Sequence, residues 1–364
     1  MNIKKTYQIL VSLLAIIGCI QLFTFSKKVI ELNFENSLFY AAKSHNLPND
    51  IHFCGEAVPL DSKDIQERLD NEIIKTTYWH SSVVLYYKKI GKYFPIIEPI
   101  LRKNNIPDDF KYLAIAESGL QNVVSPAGAR GFWQFMESTG KEYGLEINKD
   151  VDERYHLEKS TQAACDYFND AFKRFNSWTL VAASYNMGMY GLQKNLERQK
   201  AKSYYDLLLN SETARYVFRI ITYKLILENP KEYGFNLTEK DRYEPVKHKT
   251  LPVDSSISNY TDFALEQGTN YKIFRICNPW LRQRSLKNSN KKTYYFKIPT
   301  EGFNIYTDYE CAEPDSINDS TQIAINKIMC QDSSNLLIQD SVENKSNLIS
   351  DSIQKGSPIE KITK

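Results

Sequence analysis

The 364-residue sequence has only five histidines. None of His45, His52, His80, His156 and His248 stands at an HExxH or comparable ligand spacing, so no metal centre is expected. The six cysteines include no CxxC pair, which removes the usual thiolate zinc and redox signatures. Cys165 falls in a helical apolar pattern and reads as a small core residue, while the others name no disulfide pairing. Charge of one sign is missing as well. Against 46 Lys and Arg stand 44 Asp and Glu, for a net charge of +2, far from the basic excess of a nucleic-acid footprint. Neither a nucleic-acid partner nor a cofactor is expected, and protein partners stay unknown.

What is present is ordinary in bulk: 42% apolar and 25% charged residues, ample for a buried core. Aromatics reach 13%, mostly 24 Tyr and 18 Phe. Sugar-binding clefts use aromatic faces, but plentiful Lys, Asn, Ile and Tyr together fit a compositional bias better.

Lys4 and Lys5 precede an uncharged apolar run from Ile9 to Phe25, closed by Lys27 and Lys28. A positive flank before such a run marks export, and its length is at the low end for a membrane span. Three outcomes compete. The run stays apolar past Cys19, which fits an uncleaved signal anchor. Ile16-Ile17-Gly18-Cys19 resembles a lipobox, which fits lipidation of Cys19. Simple cleavage is the third. Residues 1–30 are therefore expected to be a signal anchor or lipoprotein signal, with the chain in the periplasmic cell envelope and held to the membrane there.

The fold class expected is mainly α. Residues 31–92 read as an N-terminal helical extension, with Ile65, Leu69, Ile73 and Ile74 at helical spacing. Helices continue through 93–230, punctuated by Pro95, Pro99 and Pro107. Ala164, Tyr167, Phe168, Ala171, Phe172 and Phe175 form one stripe. Val217, Ile220, Ile221, Lys224 and Leu225 form another, stopped by Asn229-Pro230. Residues 231–310 read as a small α+β module with a strand at Thr293–Pro299. From Cys311 the chain holds no aromatic residue, and 311–364 reads as a disordered tail that lacks apolar area to offset its ordering entropy.

Three segments carry the chemistry. In Asp108–Leu120, Asp108 or Asp109 is placed to cap a helix. Phe110, Leu113 and Ala114 then share a face with Glu117. A carboxyl group beside apolar side chains is desolvated and favours its neutral form, the form needed to protonate a glycosidic oxygen. Gly119 would end the helix and leave Glu117 at its last turn, open to a cleft; a surface position for Glu117 is the competing reading. In Ser125–Leu145, Gly128 and Gly131 bracket a tight turn. Trp133 there is costly to expose, and the amide of Gln134 suits sugar hydroxyl or acetamido groups. A loop packed by Trp133 without a ligand is equally open. In Trp178–Gly191, a short apolar helix ends at Tyr185-Asn186. A tyrosine hydroxyl at that place would orient a carboxyl group, or simply be half-buried core.

Order and spacing decide between these readings. Glu117-Ser118, then Ser125-Pro126-Ala127-Gly128-Ala129-Arg130-Gly131-Phe132-Trp133-Gln134-Phe135-Met136, then Ala183-Ser184-Tyr185-Asn186 resemble the lytic transglycosylase (SLT) domain of the goose-lysozyme-like superfamily. The resemblance covers about Phe94 to Pro230. Tyr93-Phe94-Pro95, Ile106-Pro107-Asp108-Asp109, Ser138-Thr139-Gly140, Tyr143-Gly144-Leu145 and Glu212-Thr213-Ala214-Arg215-Tyr216-Val217 look like its membrane-bound lytic murein transglycosylase D type. One departure is Met187-Gly188-Met189-Tyr190-Gly191, where family members often have small and acidic residues before the last glycine. The 251–299 stretch resembles at best one degenerate LysM-like module.

The resemblance implies a lysozyme-like helical domain that cleaves the MurNAc-β-1,4-GlcNAc bond of peptidoglycan strands and leaves 1,6-anhydro-MurNAc ends. It implies Glu117 as the catalytic acid and base, hydrogen-bonded by Tyr185, with Ser125, Gln134, Met136, Tyr185 and Asn186 lining the sugar subsites. Ser118 would support the helix end. A lysozyme-like muramidase would need a second carboxylate, for which Glu137 is near in sequence. A catalytically silent glycan-binding scaffold would have no use for Glu117.

Overall fold

The computed structural model describes residues 13, 15–22, 24–25 and 44–301. The tail expected at 311–364, and most of the expected signal segment, lie outside them. Residues 15–22 are helical, and among the described residues no helix is long and apolar enough to cross a membrane.

The chain enters at a small hairpin of β1 (His52–Phe53) and β2 (Glu56–Ala57). Helix α1 (Lys63–Tyr78) buries Ile65, Leu69 and Ile73, each four residues apart on one face. Helix α2 (His80–Lys103) runs unbroken through Pro95 and Pro99, where the sequence predicts punctuation. Each interior proline costs about 3 kcal/mol, so the two cost about 6 kcal/mol. The flanking Phe94, Ile97 and Leu101 are buried, and at roughly 1.5–3 kcal/mol for each such side chain their burial offsets a cost of that size.

The expectation that Asp108 or Asp109 caps the next helix is not met. A 3-10 turn, Asp108–Phe110, leads into α3 (Lys111–Ser118), whose N-cap has no side-chain bond. The Asp109 carboxylate instead accepts from the Cys54 amide at 2.7 Å and from Lys224 Nζ at 2.8 Å. It thereby ties the hairpin to a distant helix, a tertiary use that no local pattern announces.

The remaining helices are α4 (Glu137–Glu142), α5 (Leu157–Phe175), α6 (Trp178–Met187), α7 (Met189–Gln199) and α8 (Ser211–Glu228). The expected stripe on α5 is there: Ala164, Tyr167, Phe168 and Ala171 are buried and Phe172 and Phe175 pack against the core. On α8 Val217, Ile220 and Ile221 are buried and Leu225 packs against the core, while Lys224 pairs with Asp109 instead. Asn210 starts α8 by accepting from the Thr213 amide at 2.9 Å. Helix α1 packs along α8, and α2 along α5. One core, from Ile51 to Phe235, therefore joins the N-terminal helices to the rest.

A second, smaller core belongs to β3 (His248–Val253), α9 (Tyr260–Glu266), α10 (Tyr271–Cys277) and β4 (Tyr294–Pro299). The strand expected at the end of this stretch is β4. It pairs antiparallel with β3 from His248↔Pro299 to Val253↔Tyr294. Alternate residues Tyr294, Phe296 and Ile298 point inward, onto Tyr260, Phe274 and Trp280. Val151, from the loop before α5, is also part of this second core. The architecture is mainly α with a small α+β module.

Candidate active site

Glu117 stands in the last turn of α3. Gly119 ends that helix in the left-handed region (φ 59°), and its amide bonds the Ile115 carbonyl at 2.8 Å. A side chain at Gly119 would sit 2.8 Å from the Tyr86 ring, so glycine is required there for space as well as for φ. Leu113 and Ala114 on the same helix are buried, while Glu117 is half-buried.

The hydroxyl of Tyr216, on α8, donates to Glu117 Oε1. This corrects the expectation for Tyr185. The Tyr185 hydroxyl donates to the Trp133 carbonyl at 2.7 Å, with its ring 5.0 Å from that of Tyr167 and 5.3 Å from Phe168. Tyr216 stands within the Glu212-Thr213-Ala214-Arg215-Tyr216-Val217 motif. The motif was the available signal, but nothing local to it says which hydroxyl meets the acid.

Burial pushes the Glu117 carboxyl up to about 7, and the nearby Glu212 charge adds to this; the Tyr216 hydroxyl and the Arg219 guanidinium oppose it. Behind this group, Arg215 bonds buried Glu72 of α1 at 2.5 Å and Arg219 lies 3.8 Å from it. Glu72 thus engages the cation that faces Glu117 from α8.

The turn before α4 forms the facing wall. Ser125 closes its first loop, accepting from the Ala129 amide at 3.0 Å through its hydroxyl. Gly131 (φ 81°) packs so tightly that a Cβ would lie 1.9 Å from the Arg154 carbonyl oxygen. Trp133 is fully buried and donates through Nε1 to Thr161 at 2.9 Å. Gln134 adopts φ 48°, a strained region for a residue with a side chain. Its amide nitrogen donates to Gly131 O at 2.7 Å and Val123 O at 3.1 Å, leaving the amide oxygen as the acceptor available to a ligand. Met136 is exposed at the start of α4. Asn186 accepts from Thr213 Oγ1 at 2.7 Å and donates toward Glu212 at 3.4 Å. The Ser118 hydroxyl lies 2.8 Å from the Phe132 carbonyl, joining the helix that carries Glu117 to the turn that carries Gln134.

Glu137 is exposed and paired with Lys141 at 2.7 Å. It is not among the charges acting on Glu117. Among the described residues no three His, Cys, Asp or Glu side chains converge as a metal site. The arrangement can hold one proton on a carboxyl group near neutral pH and offer it to a ligand.

Residues 94–208 match the family described as Transglycosylase SLT domain. Residues 249–302 match Soluble lytic transglycosylase C-terminal LysM-like domain. The chain is 34% identical over 213 residues to the membrane-bound lytic murein transglycosylase D of Escherichia coli strain K12, and equally to that of Escherichia coli O6:H1; the alignment covers 56% of this chain and 46% of each relative. The chain thus spans about half the length of the curated relatives it matches. A solved structure of lytic transglycosylase Slt from Pseudomonas aeruginosa, an inactive mutant, aligns at 16% identity with a TM-score of 0.32, covering 42% of this chain and 26% of that one. With these matches the chain carries a stretch similar to the transglycosylase SLT domain, followed by a stretch similar to the LysM-like C-terminal domain.

Proposed function

We propose that this protein is a peptidoglycan lytic transglycosylase and that Glu117 is its acid and base. The observation that carries the reading is the half-buried Glu117 carboxyl group, poised near pH 7 and met by one tyrosine hydroxyl. Neutral Glu117 protonates the oxygen between N-acetylmuramic acid and N-acetylglucosamine. The 2-acetamido oxygen of the substrate stabilises the oxocarbenium-like centre, as in substrate-assisted glycosidases. Glu117, now a carboxylate, takes the proton of the muramyl 6-hydroxyl, and that oxygen closes onto C1 to give the 1,6-anhydro end. One carboxyl group suffices, because the acid of the first step is the base of the second.

Ser125, Gln134, Met136, Tyr185 and Asn186 line the sugar subsites in this reading. Gln134 contributes its amide oxygen, Met136 its exposed thioether, and Tyr185 acts by holding the turn through Trp133. Of the described residues, 44–92 belong to the N-terminal extension, 93–230 to the catalytic domain and 231–301 to a degenerate LysM-like module that helps retain glycan. The N-terminal segment anchors the chain in the periplasmic cell envelope, by the apolar run itself or by lipid on Cys19; curated relatives named as membrane-bound support this.

Mass spectrometry of muropeptides released by the full chain tests the activity. Anhydro-muramyl ends that vanish in Glu117→Gln are expected. Reducing ends would mark a hydrolase on the same fold, and failure of the wild type to clear peptidoglycan would mark a scaffold.

A further inference from the structure

We propose that Arg282 is a positioning residue of the active site and that the LysM-like module braces the turn Gly128–Phe135 through it. The proposal rests on the reading of Glu117 as the reacting acid. Its physical basis is the loop 146–155, which belongs to the helical domain but is built into both bodies.

On one side this loop is part of the module. Val151 is fully buried in the module's core and bridges to Leu281. The Asp152 amide donates to the Trp280 carbonyl at 2.8 Å, and the Arg282 amide donates to the Asp150 carbonyl at 2.9 Å. Gln283 Nε2 donates to Lys149 O at 2.8 Å.

On the other side the same loop supports the turn. The fully buried Asp152 carboxylate accepts from Arg154 Nε at 2.9 Å and from Arg154 Nη2 at 2.8 Å, a bidentate pair. That pairing fixes the plane of the guanidinium. Its remaining nitrogen, Nη1, then faces the Phe135 carbonyl at 3.3 Å and the Gly128 carbonyl at 3.4 Å, the two ends of the turn. Gly131 lies directly against the Arg154 backbone. From the turn, the Phe132 carbonyl meets Ser118 beside Glu117, and the Trp133 carbonyl meets Tyr185.

Arg282 of the module completes the arrangement, donating from Nη1 to Asp152 Oδ2 at 3.0 Å. A buried carboxylate held by two guanidinium groups has its position set by both. Without Arg282 it is held from one side only, and Arg154 moves with it. A displacement of a fraction of an ångström at the turn is large on the scale to which catalysis responds.

The test compares full-chain variants. Arg282→Gln removes the link, Arg282→Lys restores the charge without the planar fork, and Lys297→Gln breaks a different bond between module and domain, that of Lys297 to Glu158. Two readouts are taken: hydrogen exchange of the 128–135 amides, and kcat and KM for release of soluble muropeptides. In Arg282→Gln the turn amides should exchange several-fold faster, and kcat should fall about tenfold with little change in KM. Arg282→Lys should lie between that variant and wild type, and Lys297→Gln should match wild type in both readouts. Wild-type exchange in Arg282→Gln overturns the proposal. So does faster exchange with kcat no lower than in Lys297→Gln. Should the wild type release nothing, the glycan-cutting reading fails, while the exchange comparison still decides whether the module braces the turn.

Discussion

Tyr216 donates its hydroxyl proton to Oε1 of Glu117 across 99 residues of sequence. Removing that hydroxyl removes the strongest influence that holds the carboxyl down. In Tyr216→Phe the Glu117 carboxyl should stay protonated to higher pH, so the basic limb of the kcat/KM profile moves upward. The carboxyl also loses an oriented partner, and kcat should drop roughly ten- to a hundredfold. A pH–rate profile whose basic limb stays in place would refute the assignment.

Tyr185→Phe should behave differently. It leaves the Trp133 carbonyl without its donor, a loss of about 1–3 kcal/mol of stability, and the basic limb should keep its wild-type position. Urea unfolding alongside the same pH series checks both parts.

Charge is separable from hydrogen bonding at Glu212. Its carboxylate raises Glu117, so Glu212→Gln should lower the pKa of the acid and move the basic limb toward lower pH. The shift should be small beside the effect of burial, which is the largest cause. A limb that moves upward would show that Glu212 acts by some other route.

Protonation of Glu117 is linked to folding. Its folded value of about 7 lies above the ordinary 4.5. The stability gained by keeping it neutral is therefore complete below about pH 4.5 and is lost as the pH rises through 7. Glu117→Gln has no such loss. Relative to wild type it should gain on the order of 2–3 kcal/mol on going from pH 4 to pH 8, a figure kept low because the carboxyl is partly open to water. Equal stability differences at the two pH values would contradict the raised pKa.

At Gly131 a single methyl group is the probe. Gly131→Ala places a Cβ against the Arg154 carbonyl at a φ of 81°, so the turn must shift. A cost of about 2–4 kcal/mol is expected, with activity lost before the fold, as measured by thermal unfolding and muropeptide release.

Much of this was legible in the sequence, and the limits are physical. The spacing of three and four residues on α5 and α8 marks which faces are buried, and Gly119 marks where α3 stops, so Glu117 falls at a helix end without any tertiary knowledge. Periodicity says nothing about what lies opposite a buried face. Tyr216 is delivered by the packing of α8 on α3, so the spacing alone points to Tyr185 and not to Tyr216. Asp109 has the chemistry of a helix cap and is taken by Lys224 from another helix. Pro95 and Pro99 obey a local rule that the burial of Phe94, Ile97 and Leu101 overrides. Gln134 reads as a sugar-facing amide, yet half of that amide is spent tethering its own strained turn.

Glu72 lies outside the 94–208 stretch that matches the SLT family, yet it leans on Arg215 and Arg219 from the rear. Arg68, one turn earlier, reaches the Ala214 carbonyl at 2.7 Å and covers the Phe218 ring. Anyone shortening this protein to that stretch would lose this backrest and, with it, the whole of α8 that presents Tyr216. Such a fragment would keep Glu117 and Gln134 and still leave its acid without the Tyr216 hydroxyl.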